Sequence, residues 1–159
     1  MNNVLEFLKH IVCSTTFLTV ISGVLVFVIG QLFNEYFLKP IQDYKNLRAK
    51  ISYSLTLYAN LYMNPVELKK ATQEYSDASL EIRKLAASVA AMIELKPFGN
   101  IFIPKKSDLE KASEALIGIS NGFIVNDTFE TTKHNDLNRN IIYKALKIKS
   151  HNKKSKRNK

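Results

Sequence analysis

Residues 11–34 read IVCSTTFLTVISGVLVFVIGQLFN, twenty-four consecutive positions without Asp, Glu, Lys, Arg or His. A helix needs roughly 20 predominantly apolar residues to cross about 30 Å of hydrocarbon, so this run is long enough to span a bilayer. It is apolar on all faces, and a chain of this size could not readily enclose such a helix in a soluble core. A secretory signal would carry a basic start, an apolar core of roughly 7–15 residues and a small-residue cleavage motif. Here the preceding MNNVLEFLKH holds one Lys and one Glu, the apolar core is longer, and no Ala-x-Ala follows. A retained transmembrane helix over residues 11–33 is therefore expected, preceded by a short extracytoplasmic segment over 1–10.

The flanks orient it. Lys39, Lys45, Arg48 and Lys50 follow the run closely, whereas only Lys9 precedes it. Basic flanks are retained in the cytoplasm, which puts the N-terminus outside the cytoplasmic (inner) membrane and the C-terminus inside. Of the 159 residues, about 115 then remain before the basic end, enough for one small helical domain over 34–149. The formal net charge of +9 belongs to one end of the chain. Residues 1–138 carry 14 basic and 14 acidic side chains, and the entire surplus lies from Arg139 to Lys159. Residues 150–159 are too polar to bury a core, so a disordered basic tail is expected there.

Beyond the span, Ile41, Tyr44, Leu47, Ile51, Leu55, Tyr58 and Leu61 recur at steps of three and four, predicting an amphipathic helix from Pro40, itself a kink or a fresh helix start, to Met63. Asn64-Pro65-Val66-Glu67 has the form of a capping box with proline at the first helical position, predicting a second helix that begins at once. Its apolar face would run through Leu68, Ala71, Tyr75, Ala78, Ile82, Leu85, Val89, Met92 and Ile93, with Ala86, Ala87, Ala90 and Ala91 admitting a close neighbour. Ser107 to Glu110 predicts a further N-cap, and Asn121-Gly122 a left-handed C-cap. Residues 123–134 show no clear period and read as a loop. A last helix after Asn135 would use Leu137, Ile141, Ala145 and Ile148 as its apolar edge. The fold class is thus all-α: one N-terminal transmembrane helix and a small cytosolic bundle built on a long helical hairpin over 41–95.

That hairpin has a geometric consequence. Arms of about 45 Å each, at 1.5 Å per residue, return the second helix to the bilayer. Phe98, Ile101, Phe102 and Ile103, flanked by Lys96, Lys105 and Lys106, would then touch lipid headgroups; alternatively the loop caps the helical core. Within the span, Thr16, Thr19, Gly23 and Gly30 share one face, where small side chains let transmembrane helices approach. Self-association is one reading of that face, and mere tolerance of small residues is the other. Lys153, Lys154, Lys156, Arg157 and Lys159 would contact anionic lipid or, without sequence preference, nucleic acid, unless they serve only solubility.

Chemistry has little to stand on. Cys13 is the single cysteine, which excludes an internal disulfide and a Cys-based zinc site. His10, His134 and His151 lack a partner at metal-binding helical spacing, and Glu67, Glu74, Asp77, Glu81 and Glu94 interleave with bases as on a solvated helix face. No phosphate-cradling glycine loop or nucleophile elbow occurs. No enzymatic activity, cofactor or metal is expected.

The order of parts, a single N-terminal span followed by FLKPIQDYKNLRAKISYSLTLYANLYMNP, a helix and LIGISN, resembles a loose group of small uncharacterised bacterial single-pass membrane proteins. The resemblance covers most of residues 20–122 and implies the anchored helical architecture without any activity. The expected function is a membrane-anchored interaction or signalling module at the cytoplasmic face, self-associating and holding a cytosolic protein partner. The alternative is a membrane-disrupting effector whose cytosolic domain controls oligomerisation of the span.

Overall fold

The computed structural model describes residues 14–95 and 102–149. The expected extracytoplasmic segment 1–10, Cys13, the loop residues Phe98 and Ile101, and the basic tail with Lys153, Lys154, Lys156, Arg157 and Lys159 lie outside the described residues. The chain divides into two compact units, Met1–Pro40 and Ile41–Lys159.

In the first unit, α1 spans Thr15–Phe33. Ser14, in an extended conformation, caps it by accepting the Phe17 N–H at 3.2 Å. The helix then widens into a π-helical turn, Asn34–Leu38, in which the Lys39 N–H reaches back to the Asn34 carbonyl. Pro40 explains the widening: it offers no N–H to the carbonyl four residues earlier, and its ring pushes that carbonyl aside. The turn is braced by stacked Phe33 and Phe37 rings, 5.2 Å between centroids, and by a Glu35–Lys39 ion pair at 3.0 Å.

The second unit is a helical bundle. Its helices are α2 (Lys39–Leu57), α3 (Ala59–Met63), α4 (Gln73–Leu95), α5 (Lys106–Asn121) and α6 (Thr128–Ala145), with a 3-10 turn at Leu68–Lys70. Tyr44, Ile51 and Leu55 carry the inner face of α2, as their spacing predicts. The helix does not run on to Met63, however. Tyr58 leaves helical geometry at φ −94°, ψ 13°. The break redirects α3 so that Tyr62 is fully buried, its hydroxyl donating to the Leu55 carbonyl at 3.0 Å and its ring edge-on to Phe123.

The expected helix start at Asn64 is also corrected. The Asn64 side chain reaches back to the Asn60 carbonyl at 2.7 Å, finishing α3 instead of opening the next helix. Val66 is extended and forms an isolated parallel bridge with Ile124: its N–H donates to the Phe123 carbonyl at 3.1 Å, and its own carbonyl accepts from Val125 at 2.9 Å. Helix α4 therefore starts only at Gln73, leaving Leu68 75% exposed.

The most extensive helix–helix packing is of α4 on α5 and of α5 on α6, so the compact part of the bundle is these three helices rather than the arms of a 41–95 hairpin. Ala78, Ile82, Leu85, Ala86 and Val89 of α4 meet Leu109, Ala112, Leu116 and Ile119 of α5 in one core. Serines fasten the pair: Ser113 Oγ donates to the Ala86 carbonyl at 3.0 Å and Ser79 Oγ to the Ser120 carbonyl at 2.7 Å. Of the four alanines expected to admit a neighbour, Ala86 is buried, while Ala87, Ala90 and Ala91 are exposed. Lys105, not Ser107, occupies the N-cap of α5.

Helix α6 departs most from expectation. It begins at Thr128, within the segment read as a loop, because Asp127 caps it by accepting the N–H groups of Phe129 and Glu130, both at 3.1 Å. Its buried residues are Asn135, Ile142 and Ala145, whereas Leu137 and Ile141 face solvent. Asn135 is drawn inward by its hydrogen bonds: Nδ2 donates to the Tyr62 carbonyl at 2.7 Å and to the Gly122 carbonyl at 3.0 Å. Gly122 serves this contact and not a left-handed cap, since its φ is −88° and a Cβ there would lie 2.3 Å from Asn135 Oδ1. The left-handed residue lies at the end of α6, where Lys147 has φ 54° and the Ile148 N–H closes on the Tyr143 carbonyl at 2.9 Å.

Two stability changes of opposite sign follow. Asn135→Ala deprives two buried carbonyls of their donor and should cost about 2 kcal/mol. Lys147→Gly relieves a left-handed conformation that Gly adopts freely and should add about 1 kcal/mol. Denaturant unfolding of the full chain in detergent, followed by circular dichroism, measures both.

Candidate functional site

The first candidate surface is α1. Thr15–Leu57 contains one apolar window of mean hydropathy 2.2 with none of its residues buried inside the protein. This is a helix long and apolar enough to cross a membrane by length and composition, near the N-terminus. The core helix of a soluble protein passes the same test but hides most of its surface; this one hides none.

On α1, Thr16 and Thr19 are exposed, and a Cβ added at Gly23 or Gly30 would meet nothing within 4 Å. At 3.6 residues per turn, the four positions lie within an arc of about 60°. Two hydroxyls on this helix are turned onto its own backbone. Thr19 Oγ1 donates to the Thr15 carbonyl at 2.8 Å and Ser22 Oγ to the Thr19 carbonyl at 2.9 Å. Those two protons are thereby satisfied without a partner helix, and Gly23 and Gly30 leave room for close backbone approach.

The expected membrane-interface loop is described only at its end. Phe102 is 66% exposed, whereas Ile103 is 4% exposed and belongs to the core of the second unit. The two neighbours therefore point to different environments. Ile103 anchors the entry into α5, and Phe102 is exposed.

Two further surfaces belong to the second unit. A trough of about 460 Å³ separates α2 from α4, lined by Asp43, Leu47 and Lys50 on one side and by Glu81, Lys84, Leu85, Ser88 and Met92 on the other. Acids and bases alternate around its apolar floor, so no net field concentrates there. Among the described residues, no group of three His, Cys, Asp or Glu side chains could hold a metal ion.

The outer face of α6 is different in kind, because three large apolar side chains stand in solvent: Phe129 at 71%, Leu137 at 58% and Ile141 at 42% exposure. Lys133 lies over the Phe129 ring, 4.5 Å from its centroid. A hollow of about 450 Å³ bounded by Met63, Thr132, Lys133, Asp136 and Leu137 adjoins it. Sequence reading misses this surface by assigning Leu137 and Ile141 to the core. The available signal was Asp127 with Glu130 three residues on, the pattern that opens a helix and sets its phase.

Among the described residues, two buried tyrosines have shifted acidities. Burial raises the pKa of Tyr44, opposed by the Arg48 guanidinium beside its ring, and its hydroxyl donates to the Leu146 carbonyl at 2.6 Å. Burial likewise raises the pKa of Tyr62, with Arg139 opposing and Tyr143 and Asp136 reinforcing. Both hydroxyls are structural donors that tie α2 to the end of α6 and to α3, and neither faces a reactive partner.

Comparison with protein-family models, curated proteins and solved structures gave no match.

The tyrosines set an alkaline limit. A folded-state pKa above the ordinary 10.0 means that the unfolded chain loses its phenolic proton first. Their contribution is complete below about pH 10 and is lost as pH rises from there through the folded value. The double variant Tyr44→Phe, Tyr62→Phe should be less stable at pH 8, by about 1 kcal/mol per lost hydrogen bond. It should also lose less stability than the parent between pH 8 and pH 11, in thermal melts at both values.

Proposed function

We propose that this protein is a single-pass membrane-anchored helical module, self-associating, that holds a cytosolic protein partner at the cytoplasmic membrane face. The observation that carries the reading is the charge-free helix, apolar over its whole circumference, that the protein makes no attempt to bury. Lipid is the solvent in which such a surface costs nothing. The residues following it supply the basic flank that favours cytoplasmic retention: Lys39, Lys45, Arg48 and Lys50. A compact bundle joined to such an anchor is confined to one face of the bilayer, which raises its effective concentration for partners there.

Self-association supports the same role. Gly23 and Gly30 would allow two copies of α1 to pack backbone to backbone, a van der Waals gain that needs no polar contact. The basic tail would add attraction to an anionic leaflet of about 1 kcal/mol per charge near the surface. Nucleic acid would compete for the same charges without sequence preference.

The anchor is tested first. After expression in bacteria, the intact-mass chain should stay with the membrane pellet through alkaline carbonate washing; release into the wash, or a mass shortened by removal of the N-terminal segment, overturns the anchor. For topology, in a Cys13→Ser background, a membrane-impermeant maleimide should label Asn3→Cys in intact cells and Asn126→Cys only after permeabilisation. The reverse pattern overturns the orientation. Crosslinking between copies should fall on Gly23→Leu. Membrane depolarisation on expression, abolished by the same substitution, would transfer the reading to the membrane-disrupting effector.

A further inference from the structure

We propose that the outer face of α6 is a self-docking surface that pairs antiparallel with α6 of a second copy, about a two-fold axis at Leu137. The proposal rests on the anchored reading in one respect: the patch is small, and confinement to a membrane raises the effective concentration at which copies meet.

Three residues define the centre line of this face. Glu130, Leu137 and Lys144 are spaced by seven, so two turns of helix bring each to within about 20° of the last. All three are exposed, Leu137 at 58%. Leu137 also lies at the middle of α6, which runs Thr128–Ala145. An antiparallel partner centred there overlaps the whole helix.

The charges then choose the direction. Rotation about Leu137 sets Glu130 of each copy opposite Lys144 of the other, giving two ion pairs with leucine against leucine between them. Parallel pairing in register would set Glu130 against Glu130 and Lys144 against Lys144, which is repulsive. Antiparallel alignment also opposes the helix dipoles favourably. Off the centre line, Ile141 falls beside His134 of the second copy, and Lys133 beside Asn140. The contacts Glu130 makes in the single chain do not compete strongly: its carboxylate is 3.4 Å from His134 Nε2, with both side chains more than half exposed. A lipid surface would draw in Lys133 and Lys144 but repel Glu130, so a second copy suits this order of charges better.

The test uses the full chain in membranes with Cys13→Ser. A residue on a two-fold axis meets its own equivalent, so Leu137→Cys should be joined into dimers by a short bis-maleimide far more than Leu80→Cys, an equally exposed position on α4. Adding Glu130→Lys should lower the Leu137→Cys yield about threefold, as expected for two exposed ion pairs lost. Lys144→Glu on top of it should restore the yield. Equal yields at positions 137 and 80, or a charge reversal that the second substitution fails to rescue, overturns the pairing. A chain that resists carbonate yet gives no Leu137→Cys dimer removes this face and leaves the anchor. Dimers that form in a carbonate-extractable chain support the face and remove the anchor.

Discussion

The second unit depends on a single carboxamide. Asn135 projects from α6 into the core at 1% exposure and donates to the carbonyls of Tyr62 and Gly122, which lie at the ends of α3 and α5. A helix end leaves carbonyls without intrahelical partners, and in a buried position such groups must find donors elsewhere. One side chain meets that demand for two helices at once. The approach is close enough that position 122 tolerates no Cβ, and Gly118 lies similarly close to Asn138. Glycines at 118 and 122 thus make room for the Asn138 and Asn135 side chains between α5 and α6.

That contact governs what the surface presents. With Asn135 turned inward, Leu137 lies on the opposite side of α6, and Ile141 follows it into solvent. Ile142, Ala145 and Leu146 occupy the core in their place. The far end of the helix is held by a second polar link, from the Tyr44 hydroxyl to the Leu146 carbonyl, which ties α2 to the left-handed turn at Lys147. An exposed apolar line on α6 is therefore a consequence of satisfying buried backbone groups.

The two units handle their apolar and polar groups in opposite ways. The first unit presents apolar side chains outward and turns the hydroxyls of Thr19 and Ser22 onto its own backbone. The second unit encloses its apolar side chains and uses Ser79, Ser113, Tyr62 and Asn135 to satisfy carbonyls inside. The first unit thus leaves its apolar surface uncovered, whereas the second covers its own.

Composition and periodicity alone determined the charge-free helix, the all-helical class, and the inward faces of α2 and α4, because burial of repeated apolar positions is a local pattern with a 3.6-residue period. The same pattern misled wherever a polar group had a reason to be inside. Hydrophobicity assigns Leu137 and Ile141 to the core, yet Asn135 takes the inward position through carbonyls contributed by residues 62 and 122. Asn64 looked like the cap of the following helix but finished the preceding one, since Val66 was claimed by its bridge to Ile124. Those partners are distant in the chain and come together only on folding, so the tertiary structure alone decided which face of α6 is left to the solvent.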